Sequence, residues 1–132
     1  MTRRELRKHV FTLLFCCEFY EKNEINQQKE LYLDNPEVHL SEEQAEHISA
    51  RVDLVLEKKE EIDELVNNVS ENWKTDRMGK VELSLIRLGC YEMKYDDDIP
   101  TAVAINEAVE LAKIYGSQEA GAFVNGVLAK LL

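Results

Sequence analysis

Glycine and proline are scarce in this chain of 132 residues, five and two respectively. So few backbone punctuators exclude a turn-rich β architecture and leave long helices as the expected element. No apolar run reaches the roughly 18 residues that a membrane span requires. Glu18, Glu21 and Glu24 interrupt the only N-terminal stretch that could pass for a secretory signal. The three cysteines, Cys16, Cys17 and Cys90, contain no Cys-x-x-Cys pair. An odd number with one vicinal pair reads as reduced thiols in the cytoplasm, packed as small core residues. His9, His39 and His47 lie at no metal-ligand spacing, so no metal site is expected. No glycine-rich phosphate loop, nucleophile elbow or kinase signature is present, and no cofactor is expected. Glu57, Glu60, Glu61 and Glu64 form a solvated helix face rather than an acid/base pair. The chain therefore does not read as an enzyme.

What is present is one domain's worth of residues, 1–132, with enough apolar side chains (45%) to build a core without staples. The net charge is −10, which excludes a strongly basic nucleic-acid coat. Charge is unevenly spread. Residues 1–8 carry Arg3, Arg4, Arg7 and Lys8 against Glu5, a net +3 that leaves −13 for the remainder.

Apolar spacing predicts an all-α fold of six or seven helices. The first runs from about Thr2, its N-cap, to Tyr20, and a short one covers Asn26–Leu33. Ser41-Glu42-Glu43-Gln44 is a capping box that opens a helical stretch continuing to Val69, either unbroken or with a break near Lys59. Asp76 is placed to cap a helix holding Val81, Leu85, Ile86, Leu88, Gly89 and Met93. Asp96–Pro100 stops it. The next helix runs from Thr101 to Tyr115 and ends at Gly116 as a C′ glycine, and Ser117 opens the last. Trp73 is expected to anchor the core. Gly126 suggests a close helix–helix approach, Asn106 an internal hydrogen bond, and Arg87 a pairing with Glu92 or Glu107.

From Trp73 onward the chain carries an ordered set of motifs. They are Trp73-Lys74-Thr75-Asp76-Arg77-Met78, Val81-Glu82, Ile86-Arg87-Leu88-Gly89-Cys90-Tyr91-Glu92-Met93 and Asp98-Ile99-Pro100. Then come Val103-Ala104-Ile105-Asn106-Glu107-Ala108-Val109-Glu110-Leu111-Ala112-Lys113 and Phe123-Val124-Asn125-Gly126-Val127-Leu128. In these motifs the chain resembles the NusB family of bacterial transcription antitermination factors. The resemblance implies two packed three-helix bundles, with the first helix at their junction. It implies a non-catalytic protein that binds boxA-type single-stranded RNA of ribosomal RNA transcripts. It further implies a heterodimer with NusE, a basic ribosomal small-subunit protein, acting with RNA polymerase to read through terminators. Asp76 and Glu82 match family positions on the partner-facing side, and Glu119 matches an acidic position on the RNA side. The pattern departs from the family at Thr12 and Phe15, where Gln and Tyr are common, and at Ala120, Gly121, Ala122 and Ala129.

The residues fit such a role on physical grounds. Arg3 with Arg7, and Arg4 with Lys8, stand one helical turn apart and can face phosphates. Unpaired bases need exposed π faces, for which Phe15, Tyr115 and Phe123 are candidates, though each also fits an apolar core pattern. Thr12 offers a hydroxyl to a base edge or phosphate, and Glu119 an acceptor. Two alternatives stay open. One is a helical protein–protein adaptor with little RNA binding of its own. The other is a homodimer formed through the apolar surface of Phe11, Phe15 and Phe19.

Overall fold

The computed structural model describes all residues from 1 to 132. It contains seven α-helices and two short 3-10 turns and no strand, so the all-α expectation holds. The helices are α1 (Arg3–Cys17), α2 (Ile25–Leu33), α3 (Glu42–Glu57), α4 (Lys59–Val69), α5 (Lys80–Tyr95), α6 (Thr101–Tyr115) and α7 (Gln118–Ala129). The 3-10 turns are Pro36–Val38 and Thr75–Arg77. The chain divides into two compact units, Met1–Leu56 and Glu57–Leu132. The division falls at the helix break, which lies at Lys58 between α3 and α4.

The first unit holds α1, α2 and α3. Thr2 caps α1 in a full capping box: the Glu5 amide donates to Thr2 Oγ1 at 3.1 Å, and the Thr2 amide donates to Glu5 Oε2 at 3.0 Å. Ser41 and Gln44 close the second box, which opens α3, with distances of 3.1 and 2.9 Å. The short turn at Pro36 ends on His39, the only non-glycine residue with positive φ. Val10, Phe11, Leu13 and Leu14 of α1 and Ile48, Val52 and Val55 of α3 are buried. Each large apolar side chain removed from water contributes about 1.5–3 kcal/mol. Two ties join the elements. His9 Nδ1 and the Tyr32 hydroxyl are 2.6 Å apart, linking α1 to α2. The buried Lys29 ammonium pairs with Asp53, linking α2 to α3.

The second unit packs α5, α6 and α7 against one another, with α4 on α5. α5 is its centre: every residue from Leu83 to Glu92 is buried. The closest approach is at Gly89, where a Cβ would come within 2.7 Å of Leu128 Cδ1 on α7 and 3.4 Å of Ala108 Cβ on α6. Glycine is required there because the neighbours leave no volume, not because of its φ. Gly126 does the opposite of what its place in the pattern suggests. It lies exposed in α7 with nothing within 4 Å of a would-be Cβ, so the close approach belongs to Gly89.

Other details differ from the sequence reading. Asp76 sits in the Thr75–Arg77 turn and caps nothing; Gly79 is the N-cap of α5. Asn106 is exposed on α6 rather than bonded inside the protein. Gly116 ends α6 as its C-cap with a negative φ of −119°, so no left-handed C′ glycine closes this helix. Ser117 caps α7 as expected, accepting the Ala120 amide at 3.1 Å.

Candidate nucleic-acid and partner interface

The first candidate surface is built by the start of α1. The capping box places Arg3 and Arg4 in the first turn and Lys8 a turn later. All three are exposed. Glu5, the only carboxylate among them, is folded back onto the Thr2 amide. Arginines in a first helical turn oppose the macrodipole, whose positive end lies there, and cost a few tenths of a kcal/mol, about 0.3 or more each. Helix stability thus gives no reason for their position. With the positive end of the helix dipole they concentrate positive potential at the helix start, where an anion is favoured.

Arg7 behaves differently. It is buried, with 9% of its surface exposed. It lies on the same stripe as Val10, Phe11 and Leu14, three, four and seven residues on, which turns it inward. Of the two turn-spaced pairs, Arg4 and Lys8 both reach the surface, whereas Arg3 does so without Arg7. His9 adds no charge: burial, and then the neighbouring Lys8, push its pKa below the ordinary 6.5, against a smaller upward pull from Glu5. The half-buried Thr12 donates its hydroxyl to the Lys8 carbonyl at 2.8 Å, keeping only lone pairs for any other use. Phe15 is half-buried in a ladder of rings, 6.2 Å from Phe11 and 5.1 Å edge-on from Phe19. Phe19 is 61% exposed at the end of that ladder.

The second candidate surface lies wholly in the second unit. A cleft of about 330 Å³ is lined by Trp73, Arg77, Met78, Glu82, Glu119 and Phe123, among others. Glu82 lies with its carboxylate over the Gly79 Cα at the start of α5 and faces the Gly116 turn, where a Cβ would be 3.6 Å from Oε1. Glu119 is exposed in the first turn of α7, a favourable place for a negative charge. Phe123 is half-buried one turn on, and Tyr115 is exposed at the end of α6. Asp76 is exposed beside Arg77, outside the cleft lining.

The structure thus brings together Glu82, Glu119 and Phe123 in one cleft, and the basic residues with Thr12 and Phe15 on one helix. The sequence reading missed two members of the cleft, Trp73 and Arg77. Trp73 is 52% exposed rather than a core anchor. The available signal was its setting: the segment from Asn67 to Arg77 has almost only polar residues, so no apolar stripe could carry an indole inward. No group of three or more His, Cys, Asp or Glu side chains is placed to hold a metal ion. No helix is long and apolar enough to cross a membrane.

Comparison with known proteins agrees with this architecture. The chain is 48% identical over 132 residues to a transcription antitermination protein NusB of Lachnoclostridium phytofermentans, covering 100% of this chain and 99% of that one. It is 50% identical over 130 residues to the protein of the same name from Agathobacter rectalis, covering 98% of each. Among solved structures, T. maritima NusB superposes with a TM-score of 0.81 at 31% identity, over 99% of this chain and 90% of that one. A chain from a complex of the antitermination factors NusB and NusE with double-stranded RNA gives 0.79 at 25% identity, over 98% and 94%. The NusB family model matches residues 4–132. With a family model over residues 4–132 and relatives about half identical along nearly all of its length, the chain belongs to the NusB family.

Proposed function

We propose that this chain is a non-catalytic, cytoplasmic transcription antitermination factor. In this reading residues 1–132 act as one RNA-binding domain that holds boxA-type RNA of ribosomal RNA transcripts as a heterodimer with NusE. The heterodimer joins RNA polymerase and supports read-through. The observation that carries the reading is the exposed cluster of Arg3, Arg4 and Lys8 at a capped helix start whose one carboxylate is tied down. The solved NusB–NusE–RNA complex supports the same pair of ligands.

An acidic protein with a small cationic tip needs help to hold a polyanion, and a basic partner supplies it. Tyr115, Phe123 and Phe15 offer rings for unstacked bases; Glu119 and Thr12 offer acceptors; Asp76 and Glu82 face the partner. The test is binding of boxA-type RNA to the chain with and without NusE, at several salt concentrations. Three phosphate contacts give a log–log salt slope of roughly −2 for a single strand. Changing Arg3, Arg4 and Lys8 to Ala should flatten that slope and weaken assembly. Unchanged assembly of the triple variant on RNA would remove the proposal.

A further inference from the structure

The rings of α1 leave the core by degrees. Phe11 is 4% exposed, Phe15 is half-buried, and Phe19, at the end of the ladder, is 61% exposed. The helix ends at Cys17, but its face runs on. The Glu18 amide donates to the Phe15 carbonyl at 3.1 Å and the Phe19 amide to the Cys16 carbonyl at 3.0 Å, which tightens the last turn. The edge-on contact with Phe15 sets the outer ring against a ladder whose root is in the core. A ring so held and still open to water forgoes the stabilisation that burial provides.

The company this ring keeps along the helix decides its occupant. Arg4, Lys8, Thr12, Phe15 and Phe19 follow one another at steps of three or four residues, so they share one side of α1. That side begins with two exposed cations and ends in an exposed aromatic ring. The stripe of Arg7, Val10, Phe11 and Leu14, by contrast, is buried throughout. A single RNA strand carries a counterpart for each part of the exposed side: phosphates for the cations and base faces for the rings. The five residues include no carboxylate, so a second copy of the chain packed through them supplies no countercharge to Arg4 and Lys8. A basic protein segment would meet like charge at the same place.

We infer that Phe19 is a further base-stacking residue: a single RNA strand running along α1 lays its phosphates on Arg4 and Lys8 and its bases on Phe15 and then Phe19. This rests on the RNA half of the proposed function and lengthens the footprint on α1 beyond Phe15.

The test is binding of boxA-type single-stranded RNA by the full chain with NusE, at several salt concentrations, for Phe19→Ala, Phe19→Leu and Phe19→Tyr. Phe19→Ala should weaken binding by about tenfold. It should leave the salt slope unchanged, because a stacked base neutralises no phosphate. Phe19→Tyr keeps the π face and should bind as the unaltered chain does. Phe19→Leu keeps only apolar bulk and should be as weak as Phe19→Ala. RNA carrying iodouridine at successive positions should photocrosslink to Phe19 from one of them. Thermal unfolding separates a folding defect from a lost contact. A loss in Phe19→Ala that Phe19→Leu restores overturns stacking in favour of a plain apolar contact. Unchanged affinity of Phe19→Ala, with binding still lost when Arg3, Arg4 and Lys8 are changed to Ala, overturns the inference and leaves the RNA reading intact. Unchanged affinity in both sets of variants removes that reading and the inference with it. Sedimentation without RNA addresses self-association: a dimer that Phe19→Ala dissolves, with RNA affinity raised rather than lowered, overturns the inference in favour of a second copy on this face.

Discussion

Arg87 forks onto Asp63: its Nε and Nη2 each lie 2.8 Å from one carboxylate oxygen, joining the centre of α5 to α4. The guanidinium is buried, with 7% of the residue exposed. Two parallel charge-assisted bonds offset the cost of taking that charge out of water. Replacing Asp63 by Asn keeps the shape and removes that carboxylate's charge. Urea unfolding should show a loss of about 3 kcal/mol, with the slope of the transition unchanged.

The two glycines at 89 and 126 should respond with opposite signs. Gly126 is exposed in mid-helix with open space around it. Gly126→Ala should stabilise the protein by about 0.5–1 kcal/mol, through helix propensity and a less flexible unfolded chain. At Gly89 the same methyl meets a Leu128 that is itself fully buried and has nowhere to go. Overpacking there should outweigh the gain in propensity, leaving a net loss of about 1–2 kcal/mol. Thermal melts of the two variants decide both.

Thiol labelling should be sequential. Burial pushes the Cys90 thiol up to about 11, and none of its surface is exposed. Cys16 is also raised by burial but is partly accessible, as is Cys17. Ellman's reagent should modify Cys90 only after unfolding, with a rate that follows global opening. Fast reaction of all three thiols in the native protein would contradict this packing.

Two groups give pH dependence of opposite sense. Burial, together with the hydrogen bond to Glu61 and the negative charge of that carboxylate, pushes the Tyr95 phenol up to about 12. Its contribution to stability is whole below the ordinary value of 10 and is lost as pH rises through 12. Tyr95 should therefore give a late step in an ultraviolet titration, and Tyr95→Phe should remove it. His9 is lowered by burial and by Lys8. What it contributes is whole above 6.5 and is lost as pH falls through its lowered value, which the His9 ring resonances in an NMR titration should reveal.

The helices, the Thr2 cap and the Ser41 capping box were legible because each rests on local spacing; the break between α3 and α4 was one of two readings that the spacing allowed. The charged stripes were less so. Arg7, Lys29 and Arg87 all stand on apolar stripes: Lys29 four residues after Ile25, Arg87 four after Leu83 and four before Tyr91. Their spacing says that they turn inward. It does not say which carboxylate meets them, since Asp53 and Asp63 lie on other helices, 24 residues away in each case. Asp63 holds Arg87, a partner on another helix that the expectation of Glu92 or Glu107 did not include. Trp73 was misread because a large ring is usually buried. Here hydrogen bonds, not apolar contacts, set the loop. A glycine shows no face, so the pattern could not tell the crowded Gly89 from the open Gly126. Of the basic helix start, Arg3, Arg4 and Lys8 are exposed while Arg7 turns inward, and the cleft around Phe123 is assembled by tertiary structure alone.

The cap that ties down Glu5 leaves the tip of α1 with a local sign opposite to that of the chain as a whole. In dilute electrolyte the distant carboxylates are felt at that tip; at physiological ionic strength their field decays within about 8 Å. If the tip holds RNA as proposed, binding should be weak when salt is very low, strongest when it is moderate and weak again when it is high. Such a maximum would distinguish this chain from an ordinary basic RNA-binding domain, whose grip only loosens as ions are added.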